Sequence, residues 1–97
     1  MPKGYWIAHV DVTDPEGYKE YVALNAKAFA KYGAKFLVRG GKFTKKHGQA
    51  RDRHVVIEFD SYASALACYE SPEYKAAELV RNKHSQGDVI VIEGYEA

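Results

Sequence analysis

The sequence predicts an α+β fold with the order strand, helix, strand, strand, helix, strand. Segments 5–11 and 54–59 both alternate between outward and inward positions, and each precedes a helix that opens with a capping residue. The segment 88–94 is rich in β-branched residues and closes the chain as the last strand. These observations fix the fold class before any single residue is given a role.

The first strand covers 5–11 and is followed by a helix start signal. Asp14 suits the N-cap, and Pro15 suits the first helical position. The helix is predicted to run from Pro15 to about Tyr32. Gly33 then supplies the C-terminal stop.

The second strand is predicted at 34–39 and ends at the following glycine pair. The segment 41–53 is then polar and basic, and it is long for a connection between neighbouring strands. We interpret it as a solvated loop. The alternative is a mobile or functional segment, and its length alone does not decide whether it closes over a site.

The third strand, 54–59, leads to Ser61, which can cap a second helix. Ser71 and Pro72 give another start signal, so this helix is predicted to be interrupted or kinked there.

Composition limits the function classes. With 97 residues, of which 46% are hydrophobic and 28% charged, the chain is predicted to be one domain, 1–97. The formal charge of +1 disfavours nucleic acid and membrane surfaces as partners. Cys68 is the single cysteine, and neither a signal peptide nor a spanning segment is recognised. A cytoplasmic protein is therefore expected.

This order of elements is that of the ferredoxin-like fold, a four-stranded antiparallel sheet with strand order 4-1-3-2. Right-handed crossovers place both helices on one face. For the side-chain register we take the first and third strands to be neighbours that run parallel. Because a small protomer buries only about 60–65% of its extended-chain surface, a sheet face without helices favours a homodimer.

Period-two counting divides the strand residues between the two faces. The side under the helices receives Trp6, Ala8, Val10, Phe36, Val38, Val55, Ile57, Phe59, Ile90 and Ile92. The uncovered side receives Tyr5, Ile7, His9, Asp11, Lys35, Leu37, Arg39, His54, Val56, Glu58, Val89, Val91 and Glu93. The uncovered side is apolar in its middle, which suits a barrel interior or a dimer interface.

The parallel register gathers the ionisable groups into two clusters: His9, Glu58 and Lys35 at one end, and Tyr5, His54, Arg39 and Glu93 at the other. His9 and Glu58 are then the candidate catalytic pair, a base and its orienting carboxylate. Arg39 is a candidate binding residue for an anion. The alternative is that the same groups form satisfied ion pairs inside a dimer interface.

The inward arc of the first helix contains one amide, Asn25, among mostly aromatic residues. A buried amide needs partners, so Asn25 either bonds a sheet side chain or water, or lines a ligand cavity. Four tyrosine hydroxyls are placed to face a pocket: Tyr18, Tyr21, Tyr69 and Tyr74. The candidate binding residues are thus Asn25, Arg39, Tyr18 and Tyr69.

Other chemistries find little support. The four histidines lack the spacing of a metal site, so no metal and no cofactor are expected. Cys68 has no assigned base, and no glycine-flanked serine elbow occurs.

Five short motifs together resemble the domain-of-unknown-function 1330 family of bacterial proteins: Gly4-Tyr-Trp6, Arg39-Gly-Gly41, His54-Val-Val-Ile-Glu-Phe59, Ser71-Pro-Glu-Tyr74 and Val91-Ile-Glu-Gly94. The resemblance covers nearly the whole chain. It implies a dimeric α+β barrel, in which two sheets pack face to face. The wider superfamily includes cofactor-independent monooxygenases, lactone isomerases, haem-degrading enzymes, chlorite dismutases and stress-response proteins. It implies no particular catalytic residues, and haem is not expected.

Two functions remain open. As an enzyme, the protein would perform cofactor-independent acid–base or oxygenase chemistry on a small anionic or phenolic molecule, using His9, Glu58, Arg39 and Asn25 in some combination. As a non-catalytic binding or structural protein, it would hold these residues as ion pairs of the dimer. The distinction lies in whether the side chains line an accessible concavity or are paired with one another.

Overall fold

In the computed structural model, which describes residues 2–96, a four-stranded sheet is covered on one face by helices. The elements are β1 (Gly4–Val12), α1 (Pro15–Tyr32), β2 (Lys35–Arg39), β3 (Arg53–Phe59), α2 (Tyr62–Glu70), α3 (Pro72–His84) and β4 (Ser85–Glu93). The strand order β2-β3-β1-β4 confirms the predicted ferredoxin-like topology. No helix in the described range is long and apolar enough to cross a membrane.

The helix boundaries follow the predicted capping signals. Pro15 lies in the first turn of α1, and Gly33 ends that helix in a left-handed conformation with φ of 68°. Asp14 has the extended N-cap backbone but makes no capping bond with its side chain, which instead lies 3.2 Å from Nδ1 of His84. The predicted interruption is confirmed, because the Ser71 hydroxyl accepts from the Tyr74 N–H at 3.1 Å and starts α3.

The core is built around Trp6, which is only 2% exposed. Its indole N–H donates to the carbonyl of Ala65 at 2.8 Å, which ties β1 to α2. Its ring centroid lies 5.2 Å from Phe29 and 4.8 Å from Tyr74, both in edge-to-face geometry. One indole therefore holds the sheet and all three helices together.

Cys68 lies in the same core and is fully buried. Its S–H faces the carbonyl of Ala28 at 3.7 Å. Burial, with a smaller effect from the charge of Glu73, raises the pKa of this thiol to about 12. The thiol is therefore protonated at neutral pH, which agrees with the absence of an assigned base in the sequence.

The assumption that the first and third strands run parallel is wrong. β1 and β3 are antiparallel, with Tyr5 opposite Glu58 and His9 opposite His54. The reason is topological: α1 returns the chain so that β2 runs parallel to β1. β3 then lies between them and runs opposite to both.

The predicted faces of β4 are also wrong. Val91 lies opposite Trp6, and Ile90 lies opposite Ile7. Ile90 and Ile92 are thus on the uncovered face, and Val89 and Val91 are under the helices. All four residues from 89 to 92 are apolar, so the period-two count has no polar residue with which to choose between the two phases.

In β2 an irregular register changes the faces at the end of the strand. Phe36 pairs with Ile57 as expected, but the register shifts between Phe36 and Val38. Val38 then pairs with Val56 on the uncovered face, and Arg39 pairs with Val55 on the helix side. The extra residue is Leu37, and a bulge of this kind reverses the alternation beyond it.

Candidate functional site

A cavity of about 40 Å³ lies between α1, α3 and the helix-covered face of the sheet. Its apolar wall is formed by Trp6, Ala8, Val10, Val22, Phe29, Phe36, Val55, Ile57 and Val89. Its polar residues are Tyr18, Tyr21, Asn25, Arg39, Arg53, Tyr74 and Arg81. One water needs roughly 10–15 Å³, so the enclosed space suits a molecule of only a few heavy atoms.

Three arginines from three elements line this cavity. Arg39 reaches it from β2 because of the bulge, and its guanidinium stacks 4.4 Å from the ring centroid of Phe36. Arg53 opens β3 and passes beside Gly40, where an added Cβ would lie 3.0 Å from Nη1. The φ of 72° at Gly40 also favours glycine, so the turn after β2 leaves room for the guanidinium. Arg81 comes from α3.

The positive charge around the cavity is only partly balanced, because Arg81 alone of the three arginines forms an ion pair with a described residue, Glu78, at 3.3 Å. Within the described part of the chain, neither Arg39 nor Arg53 forms an ion pair, and the cavity lining contains no aspartate or glutamate. The Nε of Arg53 is buried and has no acceptor among residues 2–96. A desolvated N–H of a cation without an acceptor is unfavourable, so the site is electrostatically suited to an anion.

Asn25 faces the same space. It is 7% exposed, lines the cavity, and no side-chain hydrogen bond joins it to another described residue. No side chain of the sheet bonds this amide in the described range, so the position of Asn25 agrees with the cavity interpretation, which stays a prediction.

Three tyrosines form the helical side of the cavity. The hydroxyls of Tyr21 and Tyr74 are 2.8 Å apart, and Nη1 of Arg81 donates to the Tyr74 oxygen at 2.8 Å. Burial raises the pKa of Tyr74 far above its ordinary value. Burial also raises the pKa of Tyr18, against the lowering effect of Arg53 and Arg81. Both phenols are therefore neutral at physiological pH and available as hydrogen-bond donors.

Tyr69, a predicted binding residue, lies outside this lining. Its hydroxyl donates to Oε2 of Glu78 at 2.6 Å and accepts from Nη2 of Arg81 at 3.3 Å. The Nζ of Lys75 lies 4.6 Å from the centre of its ring. Tyr69 thus contacts Arg81 of α3 from the C-terminal end of α2.

The structure does not bring together the proposed catalytic pair. Glu58 accepts from the Tyr5 hydroxyl at 3.3 Å, whereas His9 lies at the other end of β1. Nε2 of His9 is 3.1 Å from Oδ2 of Asp88, and its ring is 6.0 Å from that of His54. Four strand residues correspond to roughly 13 Å, so His9 and Glu58 cannot act as one base and its orienting group.

The charged groups around His9 are paired, although Nε2 of the neighbouring His54 is buried without a partner among the described residues. Arg51 lies 2.9 Å from Asp11 and 3.3 Å from Asp88, and the Asp52 backbone N–H donates to Asp11 at 3.0 Å. These bonds anchor the end of the 40–52 segment to the strand ends of β1 and β4. The uncovered face here forms an open hollow of about 300 Å³. No group of three His, Cys, Asp or Glu side chains in the described range is placed to hold a metal.

Sequence reasoning missed Arg53 and Arg81. Arg53 has the same period-two phase as Val55 and Ile57, so a strand begun one residue earlier would have placed it under the helices. Arg81 follows Tyr74 by seven residues, which puts both on one face of α3. The sequence contains both periodicities, but they indicate the cavity only when β3 and α3 are given their correct boundaries.

A family model described as Domain of unknown function (DUF1330) matches residues 3–95. The chain belongs to the DUF1330 family. The match confirms the resemblance seen in the short motifs. Comparison of this DUF1330 protein with curated proteins gives no significant match.

Solved structures confirm the fold. A protein of unknown function from Rhodopseudomonas palustris is 15% identical, with a TM-score of 0.75, over 99% of this chain and 85% of the other. A dimeric ferredoxin-like protein of unknown function from Thermobifida fusca is 17% identical, with a TM-score of 0.63, over 95% and 91%. SnoaB, a cofactor-independent oxygenase from Streptomyces nogalater, is 12% identical, with a TM-score of 0.64, over 100% and 97%. At these identities the likeness of the DUF1330 chain to them concerns the fold alone.

Proposed function

We propose that this protein is a homodimer of one-domain subunits and that each subunit binds a small organic anion in the cavity between α1, α3 and the sheet. The observation that carries the proposal is the unbalanced charge of Arg39 and Arg53 around a mostly apolar cavity, with the Nε of Arg53 buried and unpaired. An anionic oxygen would give the buried Nε of Arg53 an acceptor in a low-dielectric place, where such a bond is strong, and the more exposed Arg39 would add its positive charge.

The size of the cavity narrows the ligand class. About 40 Å³ suits a short carboxylate or enolate better than a phenol, whose ring would require the arginines at the mouth to move. The apolar wall would contact the carbon chain of the ligand, and Asn25 would bond one of its oxygens. The expected ligand is therefore an organic acid of a few carbons.

The dimer is supported by the uncovered face of the sheet. Five large apolar side chains are exposed there or at its edge: Ile7, Leu37, Val38, Ile90 and Ile92. Contiguous apolar surface of this kind favours association. The Thermobifida fusca structure of the same fold is described as dimeric. We also place the protein in the cytoplasm, since its one cysteine is free.

Catalysis is the second candidate function, and the neutral tyrosines beside the cavity favour it. Tyr18 and Tyr74 keep their protons, so this site would stabilise a developing oxyanion by hydrogen bonds, directly from Tyr18 and through the hydroxyl pair of Tyr74 and Tyr21, and would not abstract a proton as a base. Such a site would stabilise an enolate whose α-proton passes to solvent. In the oxygenase version of the hypothesis, the enolate carbon adds O2 and the product takes one proton from solvent to become a hydroperoxide. The purely structural alternative fits the paired groups around Asp88 better than it fits the unpaired groups of the cavity.

The test is a thermal-shift screen of the wild-type protein with acetate, propionate, pyruvate, acetoacetate and phenol, followed by calorimetry on any hit. A ligand at 100 times its dissociation constant adds about 2.7 kcal/mol to the free energy of unfolding, which shifts the melting temperature of a domain this small by several degrees. Arg39→Ala should remove the shift and leave the dimer intact, because Arg39 lies on the helix side of the sheet. A dimer weakened by Arg39→Ala, or a screen without any shift, would count against the anion site.

Oxygen consumption measured with each bound acid tests the catalytic version separately. Uptake that depends on Tyr74 supports it, and binding without uptake or proton exchange restricts the protein to binding.

A further inference from the structure

The hydrogen bonds that join Arg81, Tyr74 and Tyr21 have one favoured order of donor and acceptor. Tyr74 is 1% exposed, and its oxygen accepts from the guanidinium of Arg81 at 2.8 Å. An arginine can only donate, so the Tyr74 proton must find another acceptor. Within the described part of the chain, the one oxygen bonded to this hydroxyl is that of Tyr21, at 2.8 Å.

The opposite direction leaves a buried donor unpaired. If Tyr21 donated to Tyr74, the Tyr74 oxygen would accept twice and its own O–H would have no partner in the core. That arrangement is disfavoured by roughly tenfold or more. Tyr74 therefore donates to Tyr21, and the Tyr21 proton is left over. Tyr21 lines the cavity and makes no other side-chain hydrogen bond with a described residue.

We propose that Arg81, acting through Tyr74, turns the hydroxyl of Tyr21 into the cavity as a fixed donor to an anionic oxygen of the ligand. Tyr21 is then the residue that touches the ligand, and Tyr74 and Arg81 are positioning residues. A donor whose oxygen already accepts a bond from a cation-linked phenol is polarised and becomes a stronger donor. The inference rests on the proposed anion site and specifies which oxygen acceptors that site prefers.

The chain of hydrogen bonds from Arg81 through Tyr74 to Tyr21 predicts which anions the cavity prefers. A strong, fixed O–H donor discriminates between acceptors by their basicity, so acetate should bind more tightly than its fluorinated analogues, whose carboxylates are weaker acceptors of similar size. Arg39 and Arg53 also respond to the basicity of the anion that accepts from them. The part of the dependence that belongs to the hydroxyl is therefore the part that Tyr21→Phe removes.

The experiment measures binding of acetate, fluoroacetate, difluoroacetate and trifluoroacetate by calorimetry to the wild-type protein, to Tyr21→Phe, to Tyr74→Phe, to the double variant and to the control Tyr62→Phe. Tyr21→Phe should weaken acetate binding about tenfold and flatten the dependence on basicity. Tyr74→Phe should weaken binding a few-fold alone and have no further effect in the Tyr21→Phe background, since it acts only through Tyr21. Tyr62→Phe, which changes a tyrosine of α2 that is 40% exposed and lies outside the cavity lining, should leave affinity unchanged.

The hydroxyl protons give a ligand-free check by NMR. The Tyr74 hydroxyl proton should be protected from exchange and show a nuclear Overhauser contact to the Tyr21 ring, whereas the Tyr21 proton should exchange with water. The reverse pattern, or equal acetate affinity in Tyr21→Phe and wild type, overturns this inference alone. No affinity of the wild-type protein for any of the acids overturns the proposed anion site together with it.

Discussion

The two faces of the sheet differ in whether their arginines are paired with carboxylates. On the uncovered face, Arg51 contacts both Asp11 and Asp88, and Asp88 also contacts His9. On the covered face, the Nε of Arg53 is buried with no acceptor among the described residues. Arg51 and Arg53 are two residues apart, so one short segment supplies both. The paired charges stabilise the ends of β1 and β4, and the unpaired Nε of Arg53 is the observation on which the proposed anion site rests.

The substitution with the largest expected effect tests the proposed dimer interface independently of ligand binding. Ile90→Lys would place a charge in the apolar interface of both copies and should weaken dimerisation about 100-fold or more, since two buried charges together cost about 3 kcal/mol or more. Ile90 is 51% exposed in the isolated subunit, so the fold itself should tolerate the change. Analytical ultracentrifugation measures the result.

Leu79→Lys is the matched control for that substitution. Leu79 is 69% exposed but lies on α3, away from the uncovered face. Equal dimer affinity in wild type and Ile90→Lys would contradict the assignment of the sheet face to the interface.

A smaller effect comes from the two neighbouring arginines. Arg53→Met keeps the apolar stem and removes the unpaired N–H, so the free energy of unfolding should stay the same or rise by up to about 1 kcal/mol, while acetate affinity falls about tenfold or more. Arg51→Met removes two ion pairs and should lower the melting temperature without changing acetate affinity. If Arg53→Met lowers the free energy of unfolding more than Arg51→Met does, the contrast drawn between the two arginines is wrong.

Asn25 offers a finer test of the cavity. Asn25→Leu replaces an amide without a protein partner by an apolar side chain of similar size, and should raise the free energy of unfolding by about 1 kcal/mol while weakening acetate binding several-fold. Asn25→Asp should abolish anion binding, because its carboxylate would itself neutralise the arginines. Chemical denaturation and calorimetry give the two quantities. Loss of stability in Asn25→Leu would mean that the amide is bonded within the fold.

The smallest effect is a pH dependence on the uncovered face. The pKa of Asp11 is lowered, chiefly because it accepts from the Asp52 backbone N–H and then by Arg51. A lowered folded-state pKa means that the contribution of Asp11 is complete above its ordinary pKa and is lost as the pH falls toward the lowered value. The protection of the amides in 40–52, relative to their intrinsic exchange rates, should therefore fall once the pH drops below the ordinary aspartate pKa, and Asp11→Asn should show the reduced protection already at neutral pH. The protection of the amides around Asn25 should not change with acid.

Much of the fold was predictable because it follows from local signals. The helix start at Pro15, its stop at Gly33 and the break at Ser71 are all set by residues next to the boundary. The order of the strands followed from the order of the elements. The helix boundaries could therefore be predicted, because the residues that determine them lie next to them in the sequence.

The site was harder because it depends on register. Asn25 and Tyr18 were identified from helical periodicity, which the bulge does not affect. Arg39 was identified as an anion-binding candidate but was assigned to the wrong face, since one extra residue in β2 reverses the alternation. The pairing of His9 with Glu58 failed because strand direction is a property of the whole topology. No single segment of the sequence contains that information.

The enclosed thiol of Cys68 has a practical consequence. With no exposed surface and a pKa raised by burial, it can meet a thiol reagent only after the core around Ala28 and Trp6 has opened. The chain contains no second cysteine to give a competing signal. The ratio of the labelling rate of Cys68 to that of a free thiol therefore measures the equilibrium constant for opening of the core. The stability of the unmodified protein can thus be followed without denaturant.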